Sequence, residues 1–293
     1  MKLYRGFTVY LITGIVLDTL RNTVKKILKG YVLIILFLGS GCLKAQEPVP
    51  EIHNHAGNHK EFEFDHPLFT ESISPDTKIR VDYNYQRMIE NVKYNTITVG
   101  GEFAFDRIFS IEVGFPYGLI SPSEGNSSSH TGNFDISFKF ANFEFERYGV
   151  LLGYGLDFGL PTGSDPLGIG SDHILEVAPF LDAGLKKGHW EWVVYATFGI
   201  PTRQSSGENI STELELNASS LYHVNHRLQL LVELNESSTL SGEGEKTALF
   251  LSPGVKIVPI KNEHLVIGVG TQISMIKDPD QKTGIIGSVF YHF

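Results

Sequence analysis

Ile97–Phe115 reads ITVGGEFAFDRIFSIEVGF. Apolar Ile97, Val99, Phe103 and Phe105 alternate with Thr98, Gly100 and Glu102; past Asp106 and Arg107, Phe109, Ile111, Val113 and Phe115 alternate with Ser110, Glu112 and Gly114. A period of two sends the two sets to opposite faces of a strand. The stretch therefore predicts two antiparallel strands joined by a tight link, each with one greasy and one wet face.

Outward from this pair the same division continues from Lys78 to the last residue. Upstream, Ile79, Val81, Tyr83 and Tyr85 alternate with Arg80, Asp82, Asn84 and Gln86. Downstream, the apolar faces include Phe134–Phe140, Val150–Leu160, Leu175–Leu185, Trp190–Phe198, Leu214–Leu216, Leu228–Leu234, Leu249–Ile257, Leu265–Ile273 and Ile285–Phe293. That makes twelve strands. A soluble sandwich could alternate in the same way, so the links decide. Those near Asp106, Glu146, Lys187, Asn225 and Lys261 are short, whereas Gly118–Thr131, Thr162–Asp172, Thr202–Ser211, Glu236–Lys246 and Met275–Lys282 are longer; only the first link, near Glu90, breaks the rule. Sorting of loops by parity is a property of transmembrane barrels, with short periplasmic turns and longer outer loops. The fold class is all-β: a closed antiparallel transmembrane β-barrel of about 12 strands over residues 76–293, its edges abolished because lipid cannot satisfy free backbone groups.

Composition agrees. Thirty glycines, twenty phenylalanines and twelve tyrosines suit strands and tight turns, and the single Cys42 excludes an internal disulfide. After Ala45 no apolar run approaches the length of a membrane helix. Before it, Lys25, Lys26 and Lys29 precede the apolar run Tyr31–Leu38 and the small residues Gly39, Ser40, Gly41 and Ala45. This is an export signal over residues 1–45, its compact part beginning near Val24, and cleavage would leave Gln46 first. Cys42 offers lipoprotein processing as the alternative, although Gly39 stands where that signal usually has leucine. Removing residues 1–45 takes away seven Lys/Arg and one Asp, which moves the formal charge from −9 to −15. So acidic a chain has no surface for phosphates, and nucleic acid is excluded as a partner.

Residues 46–75 read as a polar periplasmic tail. His53, His55, His59 and His66 within it could ligate a divalent metal through imidazole nitrogen, against the plainer reading of a solvated, disordered segment. No cofactor is expected. In the barrel, strand parity points Arg80, Asp82, Glu102, Glu112, Asp135, Lys139, Asp157, Glu176, Asp182, Glu191, Glu213, Glu215, Arg227, Glu233 and Lys256 toward the lumen. Eleven carboxylates against four basic groups would bias a channel toward cations, or else form internal ion pairs filling a closed barrel. Tyr148, Trp190, Trp192, Tyr222, Tyr291 and Phe293 fall near the periplasmic strand ends, where amphipathic rings suit the lipid interface. Ending on Phe293 with Tyr291 and Val289 on the same face also resembles the signal read by barrel-insertion machinery. The partners expected are thus outer-membrane lipid, that machinery and a small-molecule solute.

Several stretches resemble the outer-membrane transporter family named for the MetA pathway of phenol degradation: Gly132–Phe140 (GNFDISFKF), Leu156–Ser164 (LDFGLPTGS), Leu251–Ile257 (LSPGVKI) and Val266–Ile273 (VIGVGTQI). The family commonly joins Gly and Asp directly at the fourth strand; here Asn133 and Phe134 separate Gly132 from Asp135. The resemblance implies a barrel that moves small solutes, including aromatic compounds. The context Lys44-Ala45-Gln46 is similar to exported proteins of the Bacteroidota.

Catalytic readings are poorly supplied. A lipase would need a serine, a histidine and a third polar group together, and only Ser220 with His223 or His226 offers a start. Gly163–Gly170 lacks the Gly-Lys-Ser/Thr of a phosphate loop. No enzyme is expected; the alternative to a channel is a non-conducting structural or metal-handling barrel.

Overall fold

A computed structural model describes residues 62–164, 170–202, 211–240, 246–259, 264–276 and 279–293. Twelve strands close a single antiparallel ring: β1 (Lys78–Met88), β2 (Lys93–Ala104), β3 (Phe109–Ser121), β5 (Phe134–Asn142), β6 (Val150–Leu160), β7 (Glu176–Lys187), β8 (Trp190–Pro201), β9 (Glu213–Asn225), β10 (Leu228–Thr239), β11 (Thr247–Ile257), β12 (Leu265–Ser274) and β13 (Gln281–His292). A short extra strand, β4 (Ser128–Thr131), pairs only with the far end of β3 and lies outside the ring. The segment expected to be loop from Gly118 is therefore partly a β-hairpin: Tyr117 and Leu119 keep the alternation going, and Tyr117–Ile120 find partners in Ser128–Thr131. The only helical pieces among the described residues are two single 3-10 turns, Ile89–Asn91 and Glu146–Tyr148.

Closure is made by β1 against β13, in register from Lys78 opposite His292 to Arg87 opposite Thr283. The hairpin that opened the sequence reading is β2–β3, paired from Lys93 opposite Ser121 to Ala104 opposite Ser110. With an even ring, both ends of the barrel domain lie at the end carrying the short turns.

Burial is inverted relative to a soluble domain. Ile79, Val81, Tyr83, Val99, Phe103, Val232 and Val269 are exposed on the outside, while Lys78, Glu102, Lys139, Glu191, Glu233 and Lys256 are buried within. Such a chain is at home only where the exterior is as apolar as those side chains. At the short-turn end the outer face carries a ring of aromatics: Trp190 stacks on Trp192 at 5.8 Å, Trp190 meets Tyr222 at 4.7 Å and Tyr291 meets Phe293 at 5.2 Å.

The barrel's apolar interior is made with residues outside the sheet. Leu68 packs with Leu221, Leu231, Val258, Val266, Ile286 and Phe290, and Phe64 and Ile73 pack with Ala141, Leu151 and Val193. Inward glycines make the room. A Cβ on Gly184 would lie 2.6 Å from the Phe64 ring, and one on Gly268 2.5 Å from Leu68 Cδ2. Gly155 on β6 is tighter still, with Phe180 on one side and the Phe138 carbonyl on the other, each 2.2 Å from a Cβ placed there. Because one obstacle is backbone, Gly155→Val is expected to cost roughly 3 kcal/mol through overpacking. Loss of the heat-resistant folded band on an unboiled gel would report it; a band as robust as the parent's would show that β6 can shift.

Candidate functional site

Residues 62–75, read from sequence as the end of a polar, disordered tail, run instead with Asp76 and Thr77 through the lumen at its short-turn end. The segment carries Phe62, Phe64, Leu68, Phe69 and Ile73 as well as charges, and Phe64, Leu68 and Ile73 are at most 3% exposed. Each such side chain stabilises by roughly 1.5–3 kcal/mol when taken from water, so a complementary cavity draws them in. Ser74 Oγ accepts the Phe64 N–H at 2.8 Å, which folds the segment back on itself.

A buried segment without helix or strand must still satisfy its peptide groups. The wall's charged side chains do this. Glu233 accepts the N–H groups of Leu68 (2.9 Å), Phe69 (3.1 and 3.2 Å) and Thr70 (2.7 Å). Glu191 accepts the Asp65 N–H at 2.9 Å and Glu102 that of Asp76 at 3.3 Å. In the other direction Arg80 donates to the Leu68 carbonyl (2.7 Å), Lys256 to that of His66 (2.7 Å) and Lys186 to that of Glu63 (2.9 Å). Lys139, wholly buried, holds Glu71 at 2.9 Å, Glu102 at 3.4 Å and Glu112 at 3.5 Å. Lys78 pairs with Glu102.

Above this plug, toward the long loops, lies a cavity of about 420 Å³. Asp82, Glu112, Asp135, Asp157, Glu176, Glu213 and Glu215 line it, with Tyr195, Thr98, Ser137 and Thr197 between them. Its floor includes Glu71 of the plug and Arg80, the single basic side chain facing it. Arg80 is committed to Asp82 at 2.6 Å, and Tyr195 donates to Asp157 at 3.3 Å. The lining is thus predominantly acidic, with Glu71 and seven wall carboxylates against Arg80.

The fifteen residues assigned to the lumen thus divide. Seven line the cavity, Arg80 serves both regions, and Glu102, Lys139, Glu191, Glu233 and Lys256 hold the plug. Asp182 is buried on β7 beside Gly153, level with Tyr195. Arg227 is a correction: it sits exposed on the turn between β9 and β10, where a two-residue link takes its side chain out of the alternation. Glu233 is also remote from Glu215, since its register partner is Ser219 whereas Glu215 faces Ser237. Sequence reading passed over Lys78, Lys186, His223 and His292, all inward by the same parity that found the others. Asp65, Glu71 and Asp76 left no such signal, because they belong to no strand.

His53, His55 and His59 lie outside the described residues. His66 is described, and with Asp76 and His292 it brings three ligand-type atoms within 4.8 Å of one another. Its protons argue against a metal. His66 Nδ1 accepts from Lys78 Nζ at 3.1 Å, which assigns the ring proton to Nε2, facing Asp76 Oδ2 at 3.1 Å. Burial and the Lys78 ammonium push His66 down to about 3, so the ring is neutral. A metal on Nε2 would drive that proton to Nδ1, against an ammonium. His292 Nδ1 also reaches Asp76, at 2.6 Å. Burial alone would raise the Asp76 carboxyl, but hydrogen bonds from His292 and His66 hold it well below the usual carboxylate range. The cluster ties the plug's exit to the last strand. The Ser220–His223 pairing of the lipase reading fails, since Ser220 belongs to the outer face and His223 to the lumen face, and His226 lies exposed in the turn between β9 and β10.

No family model matches the chain, and no curated protein matches it. Among solved structures, the COG4313 outer membrane channel from Pseudomonas putida F1 aligns with a TM-score of 0.60 at 14% identity, covering 79% of this chain and 100% of that one. The NanC porin aligns at 0.49 with 6% identity over 74% of this chain and 98% of its own, and the KdgM porin at 0.47 with 11% identity over 74% and 99%. The first of these likenesses establishes the fold, that of an outer-membrane β-barrel.

Proposed function

We propose that this protein resides in the outer membrane as a channel for passive movement of small solutes, favouring cationic and neutral molecules over anions. The observation that carries the reading is the acidic cavity enclosed by a sheet whose outer face is apolar and ringed by aromatics. Two further supports are the alignment with an outer membrane channel and the orientation it implies, short turns toward the periplasm and long loops outward. The resemblance to the phenol-degradation family extends the proposal to aromatic compounds. Phe293, exposed at the barrel's end with Tyr291 beside it, is the surface offered to the insertion machinery.

Recording of the purified protein in a planar bilayer under a salt gradient tests this. Discrete conductance with a reversal potential of cation-selective sign is expected. Chloride preference would defeat the selectivity. The plug favours a second reading, a non-conducting structural barrel, and a bilayer that stays silent with demonstrably folded protein, both as the parent and with residues 62–75 deleted, would establish that one.

A further inference from the structure

The cavity's floor includes Glu71 of the plug, and the same segment's Leu68 lies in the packed cluster with Leu221, Leu231, Val266 and Phe290. The plug is nevertheless attached differently from the wall it fills. Ring closure uses β1 against β13 and is extended by one bond from Thr77, whose carbonyl accepts the Phe293 N–H at 3.0 Å, whereas the wall grips residues 62–76 through side chains. Pulling residues 62–76 aside therefore breaks no pairing of the sheet.

One side chain dominates that grip. Glu233 takes three consecutive peptide N–H groups, with both carboxylate oxygens in use, at the point where the segment turns beneath the cavity. Four contacts to one carboxyl group are collective: without it, three buried N–H groups lose their acceptor together. The other contacts are spread over separate wall residues. Glu71 and Arg80 face the cavity and also touch the plug's partners or backbone, Glu71 through Lys139 and Arg80 through the Leu68 carbonyl, so plug position and cavity contents share residues.

We infer that residues 62–76 form a displaceable gate and that Glu233 is its latch: conduction requires the Leu68–Thr70 turn to leave the Glu233 carboxylate. The inference rests on the channel reading. It is separate from cation preference, which the cavity sets.

The test is single-channel recording of the full chain, as parent, as Glu233→Ala, as Glu233→Gln in case alanine impairs folding, and with residues 62–75 deleted. A further Leu68→Cys/Gly268→Cys pair, at neighbouring positions, is placed on the Glu233→Ala background to tie the plug to β12. The folded state is checked by heat-modifiable migration. The parent should open rarely, and loss of the latch should raise open probability by about tenfold or more. Oxidising the cysteine pair should return it to the parent level, and reductant should release it again. Equal open probability in the parent and both Glu233 variants, or a cross-link without effect, overturns the gate while the channel stands. Silence in every form, the deletion included, overturns the channel reading and the gate with it.

Discussion

Replacing Lys139 with methionine is expected to destabilise the barrel by about 3–5 kcal/mol, the range seen when one partner of a buried ion cluster is removed. Methionine keeps most of the volume, so the loss is electrostatic. Lys139 Nζ is the point where Glu71 of the plug, Glu102 of β2 and Glu112 of β3 converge, at 2.9, 3.4 and 3.5 Å. Lys78 still answers Glu102, but Glu71 and Glu112 would be left at the cavity's edge with no ammonium between them. Urea titration in lipid vesicles, followed by Trp190 and Trp192 fluorescence, measures the cost. Adding Glu112→Gln to Lys139→Met should recover part of it, because one of the stranded charges is gone. A midpoint unmoved by Lys139→Met would mean that water or protons reach the cluster and that the lumen is less sealed than its packing indicates.

Neutralising Glu176, Glu213 and Glu215 together as glutamines is expected to abolish most of the cation preference, moving the reversal potential in a salt gradient toward zero. These three, and not Glu233, are the neighbouring carboxylates. Glu176 Oε1 and Glu213 Cβ flank Gly199, and Glu213 and Glu215 share the inward face of β9. In a narrow, low-dielectric passage the field of each unpaired charge is concentrated and summed, so removing three of the cavity's carboxylates takes away a large part of it. Arg80 cannot reverse the sign alone while Asp82 holds it. Unchanged selectivity would place the filter elsewhere, whereas unchanged conductance with altered selectivity is the expected signature of a vestibule.

The two variants address different regions of one lumen, and that division was not in the sequence reading. Parity placed Glu112, Asp157 and Glu213 on the same wall as Glu102, Glu191 and Glu233, and it gave no reason to treat them differently. In the structure the first set faces open space and the second faces peptide groups of residues 62–77. The alternative considered from composition, that inward charges fill a closed barrel, describes the short-turn half; in the other half the inward carboxylates line the cavity.

Arg227 shows where parity stops. Alternation holds only while the backbone is extended, and Arg227 stands one residue before β10 resumes, where the turn has reset the direction. His66 shows a second limit. Imidazoles in a polar tail suggested a ligand cluster, but a ring's chemistry is fixed by what meets its two nitrogens, and Lys78 and Asp76 come from elsewhere in the chain's path.

By itself the sequence determined the barrel: strand number, the alternation of outer and inner faces, and closure. These follow from a two-residue period, which is local and survives without knowledge of partners. Only the tertiary structure decided what the lumen contains. Phe64, Leu68 and Ile73 have no periodicity to announce them, and Gly184 and Gly268 look like any strand glycine until the side chain that needs their space arrives. Contact between positions more than a hundred residues apart has no signature in either segment alone, because the fit of a plug to its cavity is a property of the pair.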